Sequence, residues 1–267
     1  MNCIRKYSMI SEIPASKIPG ISNMKKMPAK LWKTGRLDLL DRPMVSIVGS
    51  RRPSLYSQTK TKELAFMLAQ RGVAVVSGAA MGIDAMAHIG AGAANTIAVT
   101  ATGLDIRYPA VNKALIKDIE KNGLLLSLFA PGSKPGNWNF VIRNELVVAL
   151  GEILVIAEAD LESGSMRSAE YALKMGKKIF VFPHRLGESK GTNHLLKEGL
   201  ADPIYDFEKF VSRYGEAADE SIPKDEFFYF CQQNPTVDEA VERFGERVYE
   251  AELEGVIVIE SGRISLR

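Results

Sequence analysis

This chain has no run of about 18 apolar residues, so no membrane-spanning helix and no membrane insertion are expected. Its N-terminus, Met1-Asn2-Cys3-Ile4-Arg5-Lys6, is basic, but no apolar core or small-residue cleavage site follows, which argues against a secretory signal. Cysteine is nearly absent. Cys3 and Cys231 stand far apart and outside any metal-binding spacing, so a reduced, cytoplasmic protein is the simplest expectation. Histidine is scarce too: His88, His184 and His194 are scattered, and neither a zinc centre nor another cofactor is anticipated. What is present is the composition of a soluble globular protein, 46% apolar and 25% charged. At 267 residues the chain can hold one large α/β domain and a small second one.

The net charge of +2 hides an asymmetry. From Glu216 to the C-terminus there are 5 Lys/Arg and 13 Asp/Glu, a net of −8. The preceding 215 residues hold 29 basic and 19 acidic side chains, a net of +10. A basic body with an acidic tail suggests a polyanionic partner for the body alone. The plainer reading is that the tail only balances solubility.

The most informative local feature is Met44-Val45-Ser46-Ile47-Val48 followed by Gly49-Ser50-Arg51-Arg52. The apolar run reads as a strand buried on both faces of a parallel sheet. In the turn, Gly49 permits close backbone approach, and Ser50 can cap the next helix. Amides at that helix start favour an anion, and Arg51 and Arg52 add fork-shaped charge suited to phosphate. The alternative is an ordinary strand-to-helix turn with two solvated arginines.

Residues 1–42 read as a basic, helical or irregular lead-in, with Lys25, Lys26, Lys30, Lys33 and Arg36 around Trp32, packed on the main domain by Leu31, Trp32, Leu37 and Leu39. In 43–214 strands at 73–78, 96–100, 124–127, 153–157 and 178–182 alternate with helices at 57–71, 82–94, 112–122, 141–150 and 168–175. This alternation predicts a Rossmann-like, doubly wound, mostly parallel α/β sheet with helices on both faces. Ligands of such sheets bind beyond the carboxyl ends of the strands, and here nearly all those ends are rich in Gly, Ser and Thr. Residues 215–267 carry three short helical patterns and a hairpin, the elements of a winged helix. Its recognition helix would bear Glu246, Glu250, Glu252 and Glu254, which repel phosphates, so the module reads as a protein-contact domain.

Further motifs line up in order. They are Ser54 and Tyr56; Ser77-Gly78-Ala79-Ala80-Met81-Gly82-Ile83-Asp84 with Ala87-His88; Gly103-Leu104-Asp105 with Tyr108-Pro109; Phe140 with Arg143-Asn144; and Ser163-Gly164-Ser165. Together with the Gly49 turn they resemble the DNA processing protein family DprA, also called Smf, over about residues 44–211. Met166-Arg167 departs from that family's usual pattern, as does Ser127-Leu128-Phe129. The resemblance implies single-stranded DNA binding, weaker binding of duplex, protection of incoming DNA, and delivery to the RecA recombinase during natural transformation. It also implies a homodimer and no catalytic residue.

The DNA-contact set expected on this basis is Gly49, Ser50, Arg51, Arg52, Lys134, Phe140, Arg143, Asn144, Ser163, Gly164 and Ser165. Lys134 supplies charge on a loop shaped by Pro131-Gly132 and Pro135-Gly136, or is simply an exposed lysine. Phe140 is a base-stacking platform or a hydrophobic staple for its helix. Arg143 sits early in a helix, where a cation opposes the dipole unless an anion is near. Ser163-Gly164-Ser165 resembles a phosphate cradle ahead of a helix. Asp84 and His88, four residues apart on one helix face, read as a hydrogen-bonded structural pair rather than a catalytic dyad. The rival reading is an enzyme similar to the nucleoside-monophosphate phosphoribohydrolases. That group has a double-glycine turn followed by a glutamate; here the double glycine is missing and only Glu170 could serve as the acid.

Overall fold

The computed structural model describes residues 10–216, 226–231, 234–260 and 262–266. Two compact units are present, 1–217 and 218–267. Cys3 lies outside the described residues, whereas Cys231 is buried as a free thiol in the second unit.

The first unit begins with two strands, β1 (Ser11–Pro14) and β2 (Lys30–Gly35). Strands β3 (Met44–Val48), β4 (Ala74–Ser77), β5 (Thr96–Thr100) and β6 (Leu124–Ser127) then alternate with helices α1 (Leu55–Gln70), α2 (Ile83–Ala91) and α3 (Lys113–Asn122). Helix α4 (Asn137–Leu150) leads to β7 (Ile153–Ile156), α5 (Gly164–Lys174), β8 (Ile179–Val181), α6 (Lys190–Lys197), β9 (Asp202–Pro203) and α7 (Phe207–Val211). Every residue of β3 to β8 is buried, as the predominantly apolar runs require of strands covered on both faces.

The sheet order is β1-β2-β6-β5-β4-β3-β7-β8-β9. Strands β3 to β9 pair in parallel. From β3 the chain steps outward through β4, β5 and β6, then returns to place β7 against the other side of β3. The loops leaving β3 and β7 therefore diverge, and a crevice opens between them at the switch point.

The lead-in at 1–42, expected to be helical or irregular and packed on the main domain, contains two strands. From Ile10 on it belongs to the first compact unit, and β2 pairs antiparallel with β6 while β1 covers β2. Leu31 is buried between exposed Lys30 and half-exposed Trp32, a weak alternation. The outermost strand is four residues long and ends in Pro14, features that protect a sheet edge from further pairing. Two helices also start a turn earlier than the sequence pattern suggests, α4 at Asn137 and α5 at Gly164.

The second unit contains α8 (Glu226–Cys231), α9 (Val237–Phe244), α10 (Arg247–Leu253) and a hairpin of β10 (Ile257–Glu260) and β11 (Arg263–Leu266). Thr236 and Glu239 form a reciprocal capping box at the start of α9. Phe227, Cys231, Ala240, Val248, Ala251, Ile257 and Ile264 make its separate core.

Candidate nucleic-acid interface

A cleft of about 450 Å³ opens at the switch point. Its walls are the turn after β3 (Gly49, Ser50, Arg51), the first turns of α4 (Phe140, Arg143, Asn144) and the segment from Asp160 through the start of α5. Nine of the eleven expected contact residues line it: Gly49, Ser50, Arg51, Phe140, Arg143, Asn144, Ser163, Gly164 and Ser165. Arg52 and Lys134 are exposed outside the lining. Arg167, not among the expected contacts, is exposed and lines the cleft. Its signal was its place, one turn into a helix whose N-terminus faces a suspected anion site.

The β3 turn is held from both sides. The Ser50 amide donates to Glu158 O at 2.8 Å, and Ser50 O accepts from the Ile83 amide at 3.0 Å. A Cβ at Gly49 would lie 2.6 Å from the Ile83 side chain and 2.9 Å from Glu158 O, so only glycine fits there. Ser50 does not cap α1. Its hydroxyl accepts from the Arg52 amide at 3.1 Å, and Ser54 is the cap, accepting from the Ser57 amide. Ser54 also donates through its amide and its hydroxyl to Glu158, at 3.0 and 2.7 Å. Burial raises the pKa of Glu158, but hydrogen bonds from Ser57 and Ser54 outweigh it, and the carboxyl lies below its ordinary value. These bonds leave the Arg51 side chain free of any carboxylate partner among the described residues, with its guanidinium 5.3 Å from the Phe140 ring.

Opposite it, Ser163 is the N-cap of α5 but makes no side-chain capping bond. Its hydroxyl oxygen is buried without a partner. No acidic residue occupies the first turn of α5. Orphan amides, the positive end of the helix dipole, Arg51 and Arg167 thus converge on one concavity, while Asp160 and Glu162 stand on its rim. Such an arrangement suits a phosphate group.

Beneath the cleft lies a buried polar network. Arg143 is 3% exposed. Its Nη1 donates to Gly78 O and, at 3.3 Å, to Val99 O, and lies 3.6 Å from Asp84 Oδ2. The guanidinium occupies the space a Cβ at residue 78 would need, so any side chain there would displace Arg143. The anion that Arg143 requires is therefore Asp84, supplied by the protein, and direct contact with solvent phosphate is confined to the atoms that reach the cleft. Burial lowers the Arg143 pKa and raises that of Asp84, and each opposes the shift of the other.

Asp84 and His88 are not bonded to each other. Asp84 Oδ2 accepts from the Ala80 amide at 3.3 Å. His88 Nε2 accepts from the Ala79 amide at 3.3 Å, and Nδ1 lies 2.7 Å from Thr96 Oγ1. Thr96 Oγ1 itself donates to Val75 O, so the proton between them belongs to His88 Nδ1. Asn112 Nδ2 donates to Ala79 O and Ala80 O. Four side chains thus clamp the turn after β4, in which Ala79 adopts a φ of 57°. That turn in turn carries Ile83, which holds Ser50.

Fold and site together define an open α/β protein with a polar cleft at the carboxyl edge of its sheet, flanked by Arg51, Arg167 and the N-terminus of α5. The family model described as DNA recombination-mediator protein A matches residues 10–215, and the chain belongs to that family. It is 38% identical over 183 residues to the DNA processing protein DprA of Streptococcus pneumoniae, a match covering 67% of this chain and 64% of that protein. It is 35% identical over 177 residues to protein Smf of Escherichia coli, covering 64% and 47%. The chain spans about half to two-thirds of the length of such curated relatives. Among solved structures it resembles DNA processing protein A of Helicobacter pylori, described for its single-stranded DNA binding mode. That match has TM-score 0.74 and 41% identity, and covers 78% of this chain and 96% of that one. The crystal structure of the S. pneumoniae protein matches with TM-score 0.71 and 32% identity over 80% and 77%.

Proposed function

We propose that this protein binds single-stranded DNA in the cleft between the β3 and β7 loops, shields it, and helps load the RecA recombinase onto it during natural transformation. The observation that carries the reading is the convergence of Arg51, Arg167 and the uncapped N-terminus of α5 on one concavity. The single-stranded DNA binding described for the H. pylori relative supports it. The protein acts without catalysis, as a cytoplasmic homodimer. No described helix is long and apolar enough to cross a membrane. Glu170, the acid that the phosphoribohydrolase alternative would need, does not line the cleft. Release of free base from AMP would favour that alternative.

Arg51→Ala should weaken single-strand binding by about 1–3 kcal/mol, the range for a charge-assisted contact, and leave the melting temperature nearly unchanged. The residue is exposed and outside the core, so a folded variant with native affinity would remove the phosphate role.

The acidic second unit is proposed as a winged-helix module for protein contact. Glu250, Glu252 and Glu254 lie on or just after α10, beside exposed Tyr249 and Leu253. Carboxylates within a Debye length of about 8–10 Å repel a DNA backbone. Truncation after Ala217, where the first unit ends, should therefore leave single-strand affinity within about threefold or raise it slightly. Retaining 215–216 matters, since the Glu216 amide donates to Arg71 O at 2.9 Å. A folded truncation that loses more than about tenfold, ~1.4 kcal/mol, would show that the tail grips DNA.

A further inference from the structure

Phe140 is the aromatic that the motif reading selects for base stacking, yet it is half-buried and already engaged. Arg51 lies over its ring at 5.3 Å, and Tyr108 packs beside it with ring centroids 5.9 Å apart and planes tilted by 48°. Tyr108 is the freer ring. It is 43% exposed, and among the described residues its hydroxyl has no hydrogen-bond partner.

The surroundings of Tyr108 are tied into the site rather than loose. Gly103 N donates to Ser133 O at 2.9 Å, and the Gly132 amide donates to both oxygens of Asp105, at 2.8 and 2.9 Å. Asn139 Nδ2 lies 3.2 Å from both Ala101 O and Lys134 O. The loop carrying Tyr108, the loop carrying Lys134 and the first turn of α4 are thus one bonded assembly. It stands next to the phosphate-binding turn and ends in an exposed cation and an exposed ring.

We infer that Tyr108 is a base-stacking position of the interface, with Phe140 acting as the spacer that sets Tyr108 beside Arg51. The strand then leaves the cleft with one phosphate near Arg51 and a base on Tyr108, and its backbone continues toward Lys134. The inference rests on the single-strand reading of the cleft. It adds a contact residue, and with it the direction in which the strand runs: over the carboxyl ends of β5 and β6, away from β8.

The test is titration of a fluorescein-labelled oligothymidine with the full chain and with Tyr108→Phe, Tyr108→Leu and Arg51→Ala, across salt. Stacking on one aromatic is worth at least about fivefold in affinity, and needs a flat ring rather than apolar bulk. Tyr108→Leu should therefore weaken binding at least about fivefold while Tyr108→Phe stays within about twofold of native. Both should melt as the native protein does and keep its salt slope, since no phosphate contact is lost. Native affinity in Tyr108→Leu would overturn the inference. So would an equal loss in Tyr108→Phe, which would make the hydroxyl the contact. A loss with Arg51→Ala but none with Tyr108→Leu rejects Tyr108 alone, whereas a native chain that does not bind the oligonucleotide rejects the cleft reading with it.

Discussion

Replacing Arg143 with methionine should cost the sheet-bearing unit about 3–5 kcal/mol, the usual penalty for removing one partner of a buried ion pair. Methionine keeps much of the volume but leaves Asp84 buried without its cation, and frees Gly78 O and Val99 O. Adding Asp84→Asn to Arg143→Met should restore at least about 1 kcal/mol, because the stranded charge disappears; contacting residues are where such non-additivity is expected. Urea unfolding of the full chain followed by circular dichroism measures both. A single variant within about 1 kcal/mol of native would mean that the guanidinium carries little of the turn after β4.

Acid should act through His88. Both ring nitrogens are committed, one as donor and one as acceptor, so only the neutral imidazole fits. Burial, with the nearby Arg143 charge, lowers its pKa from 6.5 to about 3. The unfolded chain takes up a proton below about pH 6.5 that the folded chain refuses until about pH 3, so the contribution of His88 is full above pH 6.5 and is lost as pH falls through that window. By pH 4 the loss should reach about 3 kcal/mol. The measurement is the stability difference between native and His88→Gln as a function of pH. Carboxylate titrations common to both cancel, so the difference should shrink steadily from pH 6.5 to 4. Parallel curves would show that His88 does not titrate on unfolding.

The sheet was legible because β3 to β8 are short, mostly apolar runs broken only by Ser and Thr, a pattern that strands covered on both faces produce in this alternating context. The cleft was legible because Gly49-Ser50 and Ser163-Gly164-Ser165 put small polar residues at the ends of β3 and β7, the strands whose exits part at the switch point. Other features depended on partners remote in sequence. Arg143 reads locally as a cation awaiting a ligand, and only the approach of α2 beneath α4 reveals Asp84 as its counter-ion. Strand β2 exists by pairing with β6, some 90 residues on, and its lysines and central Trp32 hide the alternation. The early starts of α4 and α5 were not legible because Gly136 and Ser163 precede them without a side-chain capping bond or an acidic first turn, so the usual start signals are missing. Arg107, which pairs with Glu120, and Lys177, which donates to the carbonyls of Val148, Ala149 and Gly151, show the opposite case: cations in a basic body that are engaged within the fold. Burial lowers the pKa of Lys177 to about 8, and its position caps the C-terminus of α4.

The central claim, that Arg51 and the α5 N-terminus hold the phosphates of a single strand, is tested most directly by titrating native protein and Arg51→Ala with matched single- and double-stranded oligonucleotides at several salt concentrations. Native protein should favour the single strand, and its log affinity should fall linearly with log salt at about −0.7 per phosphate contacted. Arg51→Ala should weaken binding and make that slope shallower by about 0.7, the loss of one contact. Equal or tighter binding of duplex, or a slope in Arg51→Ala unchanged from native, would contradict the account.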